Sequence, residues 1–411
     1  MSERVVVTGT GAVTPLGVGG ATLLDRWCEG ATGIEGGVAA CRDFDPLDFL
    51  SRKEARRADR FTQLAIAAAE EAIAEAGWGE GLPYPPERIG CVIGTGIGGI
   101  GSLESQGQVL REKGAKAVSP LAVPLMMGNA GAAAVAMRYG LKGESFGVVS
   151  ACAAGANAIG TAVRLVRSGQ VDAVLTGGSE SAMTGIAMAA FASMGATSPT
   201  GISRPFDARR DGFVMGEGAG VLVIESAAAA ERRGARGVGE ILGYGATCDA
   251  HHLTAPDPDG EGSARAIELA LADAGVTAGQ LDYVNAHGTS TPLNDRSETE
   301  ALKRALGTRA GEIPVSSTKS VIGHLMGAAG AVEAVATIKS LGRAVAPPTV
   351  GWEQAEEGLD LDYVPDGPRP LATIGGVALD GAPDAARSSR IAISNSFGFG
   401  GHNAVLCLAA T

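Results

Sequence analysis

The chain has 411 residues, 45% of them hydrophobic and 19% charged, with a formal net charge of −12. That much apolar material excludes intrinsic disorder, and an acidic chain with 4% aromatics and no basic stripe excludes a broad nucleic-acid surface. Six scattered cysteines without a CxxC pair set aside a zinc ribbon and a disulfide framework, and point to a reducing, cytoplasmic setting.

"MSERVVVTG" enters a strand almost at once, which leaves no room for a signal peptide, and no apolar run reaches the roughly 18 residues that a membrane span needs. The runs "RVVVTG", "CVIGTG", "FGVVSA", "DAVLTGG" and "GVLVIES" read as buried strands. Between the first two, "SRKEARRADR" concentrates Arg52, Lys53, Arg56, Arg57 and Arg60, either as a solvated helix face or as a patch for an acidic partner. "FTQLAIAAAEEAIAEAG" follows as a helix with one apolar face (Phe61, Leu64, Ala65, Ala68, Ala72, Ile73), closed by Gly77. "GTGIGG" from Gly94 to Gly99 formally matches a dinucleotide fingerprint, but no second strand ending in an acidic residue follows it. Ile97, bulky and apolar among those glycines, is expected to be buried as core or pocket wall. Strands alternating with helices make the chain α/β.

"VVSACAAGANAIGTAVRLVRSG" runs from a strand into a helix with Cys152 at the join. A thiol at a helix N-terminus is favoured as thiolate, the nucleophilic form, and the small residues Ala153, Ala154 and Gly155 leave space beside it. The bland alternative is a small buried hydrophobe.

Two segments recur in the same order. "AIAAAEEAIAEAGW" before "IGCVIGTGIGG" resembles "AIELALADAGV" before "LDYVNAHGTS"; "VVSAC-AAGANAIGTAVRLVRSG" resembles "VSSTKSVIGHLMG-AAGAVEAVATIKSLG". The chain therefore reads as two related halves, 1–240 and 241–411, joined around residues 226–240. Equivalent helices would bring their N-termini to a shared interface, where Cys152, His287 (after the strand of "NAHGTSTPLND") and His324 (before the second helix) converge. Separately, each histidine reads equally well as a cap; a zinc site of these three residues lacks any short-spaced ligand pair.

Together "SACAAGANAIG", "NAHGTSTPLND", "STKSVIGHLMGAAGAVEA" and "ISNSFGFGGHNA" resemble the β-ketoacyl-acyl carrier protein synthases of the condensing-enzyme group, over essentially the whole chain. The resemblance implies a thiolase-like fold of duplicated βαβαβ halves in five αβαβα layers. It implies decarboxylative condensation of a malonyl unit with an acyl chain held on Cys152, in fatty acid elongation, with no cofactor and no metal. It makes His287 and His324 the pair that promotes decarboxylation, Lys319 the group that sets their electrostatics, and Glu333 a buried partner. Thr289 and Thr291 would contact pantetheine, and Phe399 would gate the site and share an oxyanion hole with the Cys152 N–H. Ile97 would face the end of the acyl pocket, while Lys53, Arg56 and Arg57 would dock the acyl carrier protein. A homodimer is implied as well.

Residues 366–390, "DGPRPLATIGGVALDGAPDAARSSR", are longer than this group usually has there and read as an irregular surface insertion. A ketosynthase of a type II polyketide system, a thiolase, and a non-condensing partner of the carrier protein remain as alternatives. The presence of Cys152, His287 and His324 together weighs against the last two.

Overall fold

In the computed structural model the described residues are 3–79, 81–371 and 389–411. The first half begins with β1 (Val5–Thr14), then α1 (Arg60–Glu75), β2 (Ile89–Gly94), β3 (Ser145–Val148), α2 (Ala154–Arg167), β4 (Ala173–Glu180) and β5 (Gly218–Ser226). The second repeats that order with β6 (Gly239–Cys248), α3 (Glu261–Ala274), β7 (Tyr283–Asn285), α4 (Pro292–Leu306), β8 (Val315–Ser316), α5 (Ala329–Arg343), β9 (Ile391–Gly398) and β10 (His402–Ala409).

Strand order runs β8-β7-β9-β10-β6-β1-β5-β4-β2-β3. Each half contributes three parallel strands followed by two antiparallel ones, β3, β2, β4, β5, β1 and β8, β7, β9, β10, β6. The halves join where Val6 and Val7 pair with Glu240 and Gly239. α1 covers the outer face of the first set of strands and α3 that of the second, while α2 and α5 lie between the two sets and touch both. The layers are therefore α, β, α, β, α.

Glycine spacing makes those layers close. A Cβ on Gly9 or Gly11 of β1 would sit 2.0 Å from the carbonyl oxygens of Ala72 and Ala68 on α1. On Gly243 and Gly245 of β6 it would meet those of Ala270 and Ala266 on α3 at 2.3 and 2.1 Å. The same device at matched places in both halves accounts for some of the chain's 62 glycines. α5 is buried on every side from Ala329 to Ile338, as a helix between two sheets must be. α1 ends as its sequence implies, with Gly77 at φ 73° and Trp78 N–H closing on the Ile73 carbonyl.

The connection of the halves carries a short helix, Ala227–Arg232, before β6. Of the expected insertion, residues 372–388 lie outside the described residues. No helix among the described residues is long and apolar enough to cross a membrane.

Candidate active site

The two central helices cross at their first turns. A Cβ on Gly155 would lie 2.7 Å from Ala331 N, and one on Gly330 3.0 Å from Ala156 N. Only side-chain-free positions allow this approach, and it is what brings residues from the two helix mouths together. Cys152 sits in the 3₁₀ turn Ala151–Ala153 that leads into α2, and His324 lies just before the equivalent turn, Met326–Ala328, leading into α5.

His324 Nε2 is 3.0 Å from Cys152 Sγ, and the His287 and His324 rings meet edge-on, 5.4 Å apart with planes at 84°. All three residues are buried. Met326 N–H donates to His324 Nδ1 at 3.3 Å, so the ring hydrogen belongs on Nε2, facing the sulfur. Lys319 Nζ stands 3.3 Å from His287 Nδ1 and pairs with Glu333, both partners fully buried. An ammonium beside Nδ1 makes that nitrogen the acceptor and leaves Nε2–H as a donor. Burial, followed by the Lys319 charge, pushes both histidines well below their ordinary pKa, so each imidazole is neutral. Backbone N–H groups of His287 and Gly288 donate to Glu298, at 2.8 and 2.7 Å, which fixes the loop that carries the ring.

Cys152 corrects an expectation. Burial raises its thiol to about 11, against the lowering influence of Lys319 and of the Phe399 N–H directed at the sulfur. The resting group is a thiol rather than a thiolate, because desolvation outweighs the helix mouth. Ile97 is the second correction. It is 41% exposed in the single chain, although it also lies on the wall of the site's cavity.

That cavity measures about 530 Å³ and is lined by Cys152, both histidines, Thr289, Thr291 and Phe399, among others. The two threonine hydroxyls lie 2.9 Å apart on its wall. Lys53, Arg56 and Arg57 are exposed on and after the short helix Arg52–Ala55, without ion pairs among the described residues, whereas Arg60 turns inward to Glu217. Donor atoms of Cys152, His287 and His324 lie within 4.8 Å of one another.

The fingerprint-like glycine loop is occupied from within. Gly96, Ile97 and Gly98 donate their N–H groups to the buried Glu180 carboxylate, so nothing remains for a pyrophosphate. Sequence reasoning missed Glu180, Glu298, Met326, and the rings of Phe213 and Phe397 that stand edge-on to His324 and His287. Met326 and Phe397 stand inside the motifs "STKSVIGHLMGAAGAVEA" and "ISNSFGFGGHNA", which marked the region without their roles, whereas Glu180 acts through contacts distant in the chain.

Comparison with known proteins decides the kinship. Residues 2–230 match the family model "Beta-ketoacyl synthase, N-terminal domain" and residues 238–353 "Beta-ketoacyl synthase, C-terminal domain". The chain belongs to the β-ketoacyl synthase family. A 3-oxoacyl-[acyl-carrier-protein] synthase 2 of Synechocystis sp. is 46% identical, over 98% of this chain and 97% of its own length. Its counterpart in Rhizobium meliloti is 42% identical over 99% and 98%. Among solved structures, a β-ketoacyl synthase of Burkholderia phymatum superposes with TM-score 0.89 at 33% identity, covering both chains fully. A type II polyketide acyl carrier protein in complex with its ketosynthase gives 0.87 at 30%, also over both full chains. The synthase is thus a condensing acyltransferase of the thiolase fold.

Proposed function

We propose that the synthase condenses malonyl-acyl carrier protein with an acyl chain held on Cys152, losing carbon dioxide and giving β-ketoacyl-acyl carrier protein in fatty acid elongation. The carrying observation is a cysteine sulfur facing two neutral imidazoles that each present Nε2–H to one cavity.

Acylation comes first. Cys152 sulfur attacks the carrier thioester carbon, the carbon–sulfur bond to pantetheine breaks, and the proton lost by the thiol ends on the departing one. The oxyanion of that step takes the N–H groups of Cys152 and Phe399. Malonyl then enters; its carboxylate leaves as carbon dioxide and the electron pair becomes an enolate, whose oxygen accepts from His287 and His324. The donors are neutral imidazoles, since burial and the Lys319 charge oppose protonation of either ring. The enolate carbon attacks the acyl-Cys152 carbonyl, the carbon–sulfur bond breaks, and the departing thiolate takes up a proton from solvent to restore the resting thiol. Thr289 and Thr291 hold the pantetheine arm, and Phe399 gates the mouth. Lys319 and Glu333 fix the His287 tautomer. No step calls for a cofactor or metal.

Lys53, Arg56 and Arg57 form the docking patch for the acidic carrier protein. The working unit is a homodimer in the cytoplasm, with 1–240 supplying the nucleophile and 241–411 the histidines. Identity of 41–46% over nearly the whole chain to relatives named 3-oxoacyl-[acyl-carrier-protein] synthase 2 favours elongation over the polyketide reading.

The test separates the half-reactions. His287→Ala or His324→Ala should lose on the order of a hundredfold in malonyl-carrier decarboxylation while Cys152 still takes an acyl group. Wild-type condensation by His324→Ala would remove that residue from the mechanism.

A further inference from the structure

The two halves place matched turns at the mouths of α2 and α5, and use them differently. Ala151 and Met326 occupy equivalent positions, and both hold φ at 49°, a left-handed conformation unfavourable for residues with a side chain. The next residue is Cys152 in one half and Gly327 in the other. Facing the Cys152 turn is the end of β9, where a Cβ on Gly398 would meet Cys152 N at 3.1 Å. Facing the Gly327 turn is the end of the equivalent strand, β4, which terminates in Glu180.

Glu180 is fully buried and held by hydrogen-bond donors. Oε1 accepts from Thr95 Oγ1 at 2.9 Å and Gly98 N at 3.2 Å. Oε2 accepts from Gly96 N at 2.5 Å, Ile97 N at 3.1 Å and, from the other half of the chain, Gly327 N at 3.3 Å. Gly327 is packed so tightly that a Cβ would lie 2.0 Å from Gly96 N. A buried carboxylate is costly, and this one is retained as the shared acceptor of Thr95 Oγ1 and four backbone N–H groups, which an apolar side chain would leave unpaired. What it anchors is the peptide next to Met326, whose own N–H donates to His324 Nδ1.

We propose that Glu180 is a positioning residue for His324: its carboxylate pins the left-handed Met326–Gly327 turn, and through the Met326 N–H keeps the ring hydrogen on Nε2, aimed at the reacting centre. Without the anchor the turn relaxes, Nδ1 loses its donor, and the ring samples both tautomers. The consequence for turnover rests on the decarboxylating role of His324 proposed above; the tautomer does not.

The experiment compares wild type with Glu180→Gln, Glu180→Asp and Thr95→Val. Nitrogen NMR of histidine-labelled protein, with His324 assigned by its loss in His324→Ala, reads the tautomer directly. Wild type should show a single Nε2–H form, Glu180→Gln a mixture, and Glu180→Asp a return toward wild type because the charge is kept. Malonyl-carrier decarboxylation by Glu180→Gln should fall on the order of a hundredfold, the scale of a slightly misplaced group. Acylation of Cys152 should hold or rise, since the Glu180 charge opposes thiolate. Thr95→Val, which removes a single donor and tests the point if Glu180→Gln does not fold, should move the tautomer in the same direction by less. A single Nε2–H tautomer in all variants overturns the proposal, as does an equal loss in both half-reactions. If wild type fails to decarboxylate malonyl carrier at all, the proposed function falls, while the tautomer still decides the role of Glu180.

Discussion

Cys152 has two influences acting on it that differ in range. The helix mouth is local and readable in "SACAAGANAIG"; the enclosure that raises the thiol to about 11 comes from residues such as Phe213, Met215 and Met326, remote in sequence. Legibility follows the same division. Cys152, His287 and His324 stand in short motifs beside strand ends and helix mouths, so their convergence could be anticipated, whereas Lys319 was expected beside the histidines only through the family resemblance. Glu180, 147 positions from Gly327, could not. The raised thiol makes a prediction. A group with pKa about 11 is mostly protonated at neutral pH, so alkylation of Cys152 by iodoacetamide should accelerate about tenfold per pH unit up to that value. Lys319→Met, which removes the cation that lowers the thiol, should displace the profile upward. Peptide mapping must follow Cys152 itself, because Cys248 is exposed and reacts independently. A profile levelling off near pH 7, with condensation lost in step, would restore the resting thiolate.

At the scale of elements, four of the five strand runs and the first long helix were legible, because buried strands are β-branched runs and α1 has a clear apolar face; the fifth run, "FGVVSA", forms β3 at the sheet edge and is partly exposed instead of buried. The crossing of α2 and α5 was anticipated from the repeat, yet its closeness depends on Gly155 and Gly330, which low-complexity alanine context hides. The short helix Arg52–Ala55 shows what sequence could settle and what it could not. Its capping box, Ser51 with Glu54, fixes its start, and a charge run predicts its exposure. Purpose is a separate matter. With Arg60 committed to Glu217, the exposed cations Lys53, Arg56 and Arg57 remain for a partner. Lys53→Glu combined with Arg56→Glu should raise KM for carrier-bound substrates severalfold and leave kcat unchanged, with the difference fading as added salt shortens the Debye length below its value of about 8 Å at 0.15 M. Short pantetheine thioesters should be turned over as in wild type. Equal losses on both substrate types would show that the helix supports the fold instead.

For the whole molecule, the duplication explains why chemistry-bearing residues from both halves meet, but a single chain leaves one face unexplained. β3 is an edge strand that pairs with β2 alone among the described residues, and edge strands are normally paired or covered. Around it Val149, Met137, Val123 and Met127 are exposed, with Ile97 at the cavity wall close by in the loop after β2. The apolar character of Ile97 suggested burial, and the single chain does not supply it; a second copy seated on this face would. The homodimer proposed above would bear on the site, because a second copy on this face would close the cavity beside Ile97. Val149→Asp, a charge placed in that face, should shift the protein from dimer to monomer in sedimentation velocity. Its chain-length profile on acyl-carrier substrates should change with it. Ile97→Phe should stay dimeric and reject long acyl chains selectively, each excluded methylene forfeiting about 0.8 kcal/mol. A monomeric wild type, or a uniform fall at every chain length in Ile97→Phe, would separate Ile97 from the pocket and leave the apolar face to some other partner.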